Sequence, residues 1–335
     1  MVAAENESGG LRGNMINEAD PRGHSPLSPL PPRKIRELPR AFLLEKLGVY
    51  YQTNPPPTVV ETDYSLWECT ETKLQFSQPM TPGNARFYEW VSSFDSYYPG
   101  VRWEYGQAAG RIRDLNYGAP GFKVLDVGSG KGDFLKGLDF LPAPNRFALD
   151  LNQPAITACQ AHGFSAFCGT IESALTAGFF RANEFAVVTS FHCLEHVDQP
   201  VEFVHGLLRA TAAGGRVFLS TPYSPMSFEQ DWFDVLNHPP HHMTRWNLRA
   251  YQKLGEILGV QIRHYAPPAH PVKQALQAFR LRHYGPHVRV SRPRLLRDLL
   301  RFAPQFLGAW KHFRARVAAH ENGGSDLIMI EFIRP

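Results

Sequence analysis

Short apolar runs alternate with longer amphipathic stretches along the chain from Lys123 onward. Residues 124–127 (VLDV), 146–150 (RFALD), 165–168, 185–190 (FAVVTS) and 216–220 are short and apolar enough to be strands buried on both faces. Residues 201–210 and 247–258 carry apolar positions at helical spacing. Gly259 then leads to a sixth strand over 260–265, and 326–333 (DLIMIEFI) supplies a seventh. Strands separated by helices in this way predict an α/β architecture with a doubly wound sheet, its core spanning 119–270 and its final strand lying within 321–335.

Other patterns precede and interrupt that core. Residues 1–38 are rich in Pro, Gly, Ser and charge, with Pro26, Pro29, Pro31 and Pro32 close together. Such a segment buries too little apolar surface to offset its ordering entropy, so it is expected to be a disordered leader. Residues 39–118 read as an N-terminal cap. A helix over 38–51 ends before Pro55-Pro56-Pro57, a hairpin pairs 64–69 with 73–76, and an aromatic helical segment starts at Phe87. Residues 271–320 form an insert in which Arg280, Arg282, Arg292, Arg294, Arg297, Arg301, Arg314 and Arg316 accompany leucines and aromatics at helical spacing. This predicts an amphipathic helix pair with a basic rim. Such a surface also suits anionic lipid or a phosphate-bearing acceptor. Basic and aromatic residues mixed without a recognition motif argue against nucleic acid.

Composition narrows the class. Of 335 residues, 43% are hydrophobic and 20% charged, with net charge +4, as in an ordinary globular protein. Cys69, Cys159, Cys168 and Cys193 stand singly, so neither a disulfide framework nor a zinc-cysteine site is expected. With no apolar run of membrane-spanning length and no secretory leader pattern, a cytoplasmic location is expected.

The chemistry is concentrated at 122–135, FKVLDVGSGKGDFL. Gly128, Gly130 and Gly132 leave the main chain bare where strand gives way to helix, so a ligand can lie against it. Asp126 ends the strand, and Asp150 ends the next strand about twenty residues after the glycines, where a carboxylate can accept from two ribose hydroxyls. The alternate glycines differ from the G-x-G-x-x-G dinucleotide fingerprint, which disfavours a nicotinamide cofactor.

This glycine turn resembles motif I of class I S-adenosylmethionine (SAM) dependent methyltransferases. Together with Leu194-Glu-His-Val197, Gly214-Gly215 and Thr221-Pro222, it resembles the branch containing ubiquinone-biosynthesis and small-molecule O-methyltransferases. The resemblance covers about 64–265 and the final strand. It implies a Rossmann-like seven-stranded sheet whose last strand is inserted antiparallel, with SAM as cofactor. Asp126, Gly128, Ser129, Gly130, Gly132, Asp150 and Leu151 would bind it, together with Thr170, Ile171 and Glu172 at the adenine and Ser190 and Phe191 beyond the fourth strand. It also suggests that aromatic residues 97–103 form a lid, where ring faces favour a sulfonium. The expected reaction is methyl transfer to oxygen of a small-molecule or glycan acceptor, free or linked to lipid or nucleotide. Transfer to nitrogen or carbon, or a catalytically silent SAM-binding scaffold, are the alternatives.

A hydroxyl acceptor requires a base, and histidine suits the role. His192 follows the fourth strand. His241 and His242 lie in a loop stiffened by Pro239 and Pro240, ahead of the helix at 247–258. These three are the catalytic candidates. Glu195 and His196 read as structural, and no metal is expected.

Overall fold

A computed structural model describes residues 24–94, 102–115, 117–285, 288 and 290–335. Most of the expected leader and the centre of the proposed lid lie outside the described residues. Within the stretch expected to be disordered, the chain forms β1 (Arg33–Leu38). Only Leu38 of that strand is buried, so no alternation betrays it. After α1 (Arg40–Tyr51) come β2 (Tyr64–Glu68) and β3 (Gln75–Gln78), and β1 exists because its backbone pairs antiparallel with β2. Next are α2 (Ala85–Ser92), started by the Asn84 side chain accepting from Phe87 N–H, and α3 (Trp103–Arg113).

The expected β/α alternation follows. It runs β4 (Val124–Val127), α4 (Asp133–Lys136), β5 (Arg146–Asp150), α5 (Gln153–Ala161), β6 (Ser165–Cys168), α6 (Ile171–Thr176), β7 (Phe185–Phe191), α7 (Pro200–Ala210) and β8 (Thr211–Pro222). The helix expected after the glycines is a single turn, so its dipole contributes little and the bare main chain matters more. Gly214-Gly215, expected as a helix-to-strand turn, lies inside β8 instead. Pairing with β7 jumps from Phe185–Thr211 to Val187–Arg216, which makes a bulge at the strand's start.

The chain closes with β9 (Thr244–Arg245), α8 (Leu248–Leu258), β10 (Gln261–Tyr265), α9 (Pro271–Tyr284), α10 (Arg292–Arg301), α11 (Ala303–Ala319) and β11 (Leu327–Ile333). The insert thus holds three helices rather than two. Its small apolar centre is Ala275, Ala278 and Phe313, while Leu296, Leu300 and Leu307 remain exposed.

The large sheet has the order β10-β11-β8-β7-β4-β5-β6. β4 pairs in parallel with β5 and β7, and β11 enters antiparallel between β8 and β10. Strand residues alternate between two apolar layers. Val124, Ala148, Val187 and Phe218 face α3, α4 and α5, whereas Leu125, Leu149, Val188 and Leu219 face α6, α7 and α8. Strand order reverses between β4 and β7, so a cleft opens at their carboxyl ends. The predicted hairpin grows into a second sheet, β1-β2-β3-β9. Its last strand belongs to the core's own chain, so the cap is tied to the loop that carries the histidines.

Candidate active site

The carboxyl end of β4 turns through three left-handed glycines, with φ of 73°, 51° and 75° at Gly128, Gly130 and Gly132. Two are forced by packing. A Cβ on Gly128 would lie 2.1 Å from Cys193 Sγ, and one on Gly132 would lie 3.0 Å from Cys159 Sγ. At Gly130 the same Cβ would meet nothing within 4 Å, so this residue borders open space. Asp150 is aimed at that turn. Its Oδ2 accepts from Gly130 N–H at 2.8 Å and its Oδ1 from Asn152 N–H at 2.8 Å. Leu151 beside it is exposed.

Asp126 lies beneath the turn, with Oδ1 accepting from Thr189 Oγ1 at 2.7 Å. Burial pushes its carboxyl up to about 7, and Asp150 adds to that push while the Thr189 hydrogen bond opposes it. Ser129 is buried beside Cys159. Ser190 is wholly enclosed and its hydroxyl donates to Val127 O at 2.9 Å, so it fastens β7 to β4. Phe191 forms a wall with Phe134 and Tyr105, ring centroids 4.9 and 5.2 Å away. At the third strand's end, Thr170 caps α6 in a capping box, Ile171 is buried and Glu172 is exposed.

These residues fit an adenosyl group. Open space above Gly130, a carboxylate held over it by two main-chain N–H groups and an exposed apolar side chain beside that carboxylate form a bare cradle. Gly128, Gly130 and Asp150 would hold the nucleoside, and Asp126 would be the nearest buried acid. When bound, SAM supplies an activated methyl group on a sulfonium leaving group.

His192 follows β7 at φ 54°, held by its N–H to Ser220 O at 2.9 Å. Such a conformation costs a non-glycine residue about 1–3 kcal/mol. Two buried carboxylates meet its ring, Glu104 Oε1 at 2.8 Å from Nε2 and Glu195 Oε1 at 3.2 Å from Nδ1. Carboxylate oxygens on both ring nitrogens call for protons on both. Burial disfavours the cation, but the bonds to Glu104 and Glu195 outweigh it and raise the His192 pKa. Glu104 answers in kind, its own pKa held below the usual value despite burial. Sequence reasoning missed Glu104. A lone acid in an aromatic helix has no spacing signal, and its contact with His192 spans 88 positions. Glu195, read as structural, turns out to hold His192.

His241 and His242 do not join His192. They pack with His196, ring centroids 4.5 and 4.8 Å from it and 4.6 Å from each other. The loop is docked from both sides: Met243 N–H donates to Glu195 O at 2.7 Å, and Ser77 N–H donates to Met243 O at 2.8 Å. Burial holds the His241 and His242 pKa values well below the ordinary histidine value, so both are neutral.

Residues 102–265, just under half of the chain, match the family model of a methyltransferase domain. Among curated relatives, the ubiquinone biosynthesis O-methyltransferase of Thiobacillus denitrificans is 33% identical over 116 residues, 33% of this chain and 50% of that protein. The enzyme of the same name from Pseudomonas aeruginosa is 30% identical over 111 residues, 32% and 47% of the two chains. The chain thus spans about half the length of the curated relatives it matches. A solved SAM-dependent methyltransferase from Archaeoglobus fulgidus aligns with 73% of this chain and all of its own at 14% identity and a TM-score of 0.46.

Proposed function

We propose that this protein transfers the methyl group of SAM to an oxygen of a small-molecule acceptor. The observation that carries the reading is the open glycine cradle at β4 with Asp150 held over it, one strand away from a histidine between two carboxylates. The ubiquinone-biosynthesis O-methyltransferases among its relatives support oxygen as the atom methylated and a small molecule as acceptor.

Methyl transfer is an in-line displacement, so the site's first task is to align acceptor, methyl and sulfur and to exclude water. Phe191, Phe134 and Tyr105 supply an apolar wall for that purpose. The second task is to accept the acceptor's proton. His192 has both ring nitrogens taken by Glu104 and Glu195, so it serves as the cation that holds Glu104 ionised, and the Glu104 carboxylate takes the proton. His241 and His242, buried and neutral, would instead shape the acceptor side.

The basic insert is the candidate surface for an acceptor delivered from a lipid. Leu296 and Leu300 are exposed on α10 among Arg294, Arg297 and Arg301, a pattern suited to anionic headgroups. Among the described residues no helix is long and apolar enough to cross a membrane.

The test is calorimetric titration with SAM and S-adenosylhomocysteine, beside turnover on phenolic acceptors. Asp150→Ala is expected to weaken both ligands at least tenfold, and His192→Gln to lower turnover while leaving ligand affinity within about threefold. Failure of the wild-type protein to bind either ligand would overturn the reading.

A further inference from the structure

The three-histidine cluster has a feature that methyl transfer does not require. His196 Nδ1 lies 2.7 Å from His241 O, His241 Nδ1 lies 2.8 Å from Leu236 O, and His242 Nδ1 lies 3.0 Å from Asn237 Oδ1. A carbonyl oxygen only accepts, so in each ring Nδ1 carries the proton and donates it. The position left for a lone pair in each ring is therefore Nε2. Three rings with tautomer and orientation fixed from behind bring ring nitrogens within 4.8 Å of one another, and one cation can take a lone pair from each.

We propose that His196, His241 and His242 form a binding site for a divalent transition-metal ion of the zinc class. An equilateral triangle with the observed limiting side has its centre about 2.8 Å from each corner, and the zinc–imidazole bond is about 2.0–2.1 Å. The rings close that gap with sub-ångström shifts. Three nitrogens and no carboxylate or thiolate in the group favour zinc, cobalt, nickel or copper over magnesium or calcium. The carbonyls behind each Nδ1 are the supporting acceptors that metal-bound imidazoles require. Three protein ligands leave a fourth position for an oxygen ligand, the arrangement of an open rather than a closed site.

The site also explains how the loop is placed. His196 comes from the turn after β7, while His241 and His242 come from the loop leading to β9 in the cap sheet. A bound ion would link core and cap at the acceptor side of the cleft.

The His/Asp spacing of the 234–246 loop admits a metal, but nothing in it brings in His196, which stands 45 positions from His241. The experiment uses tag-free, full-length protein, stripped with chelator and titrated with Zn²⁺ by calorimetry and with Co²⁺ by visible absorption. One ion per chain and a tetrahedral cobalt spectrum are expected. His196→Gln and His242→Gln should weaken binding by more than the about 10–100-fold that loss of a supporting group costs, and Asn237→Ala by an amount within that range. Wild-type protein that takes up no stoichiometric ion overturns the proposal whether or not any variant folds. Equal affinity of wild type and folded Gln variants overturns it too. Metal uptake is read without SAM, so its failure leaves the methyl-transfer reading standing, and the converse holds.

Discussion

Gly128→Ala in single and double form tests the glycine turn most directly. The new methyl would sit 2.1 Å from Cys193 Sγ, against roughly 3.5–4.0 Å for an ordinary contact. Cys193 cannot simply swing away, since Sγ lies 3.6 Å from Val127 O and 3.4 Å from Phe191 O. Two costs follow. Holding alanine at φ 73° costs about 1–2 kcal/mol. Forcing a methyl into filled space costs about 1–3 kcal/mol more. In a Cys193→Ala background the nearest remaining atom is Cys193 Cβ at 3.6 Å, an ordinary contact, so only the backbone cost survives. Urea unfolding of wild type, both single variants and the double variant gives the cycle. Gly128→Ala should destabilise by about 2–5 kcal/mol alone and by about 1–2 kcal/mol beside Cys193→Ala. A cost that agrees in the two backgrounds within about 0.5 kcal/mol would refute the packing argument.

Asp126 gives a pH signature of known sign. Its folded pKa, pushed up to about 7 by burial, lies above the ordinary carboxylate value. The native state therefore binds the proton more tightly, and stability is lost as pH rises from about 4 to 7, by up to about 4 kcal/mol. Asp126→Asn should flatten that slope in chemical denaturation relative to wild type, and parallel slopes would count against it. His192 also titrates above the free-imidazole value, so the stability it contributes is complete below about 6.5 and disappears as pH rises through its folded pKa. NMR titration should show the His192 ring moving to lower pKa in Glu104→Gln, with Glu195, Arg102 and His242 the other charged or titratable groups around it. Vesicles rich in anionic lipid should co-sediment the protein at low salt, and Leu296→Ser with Leu300→Ser should release it. Equal sedimentation of that variant would remove the lipid surface from consideration.

The sequence by itself determined the large sheet and its glycine turn. A buried parallel strand must be apolar on both faces, and a chain that turns against a ligand needs glycine, so 122–135 and the runs of β5 to β8 were legible one residue at a time. The antiparallel last strand followed from the resemblance and is seen between β8 and β10. The cap was legible only in part. β1 is polar and exposed, and only its pairing partner makes it a strand.

Tertiary structure alone decided which histidine meets which partner. Glu104 reaches His192 from α3, and His196 reaches His241 and His242 from another turn, by contacts that no local spacing encodes. Ser190, expected at the cofactor, is wholly enclosed, and its hydroxyl reaches Val127 O on the neighbouring strand across 63 positions. Local pattern fixes what each segment can be. Long-range packing fixes the partners, and the partners decide whether a buried imidazole is a cation between carboxylates or a neutral ring presenting its lone pair.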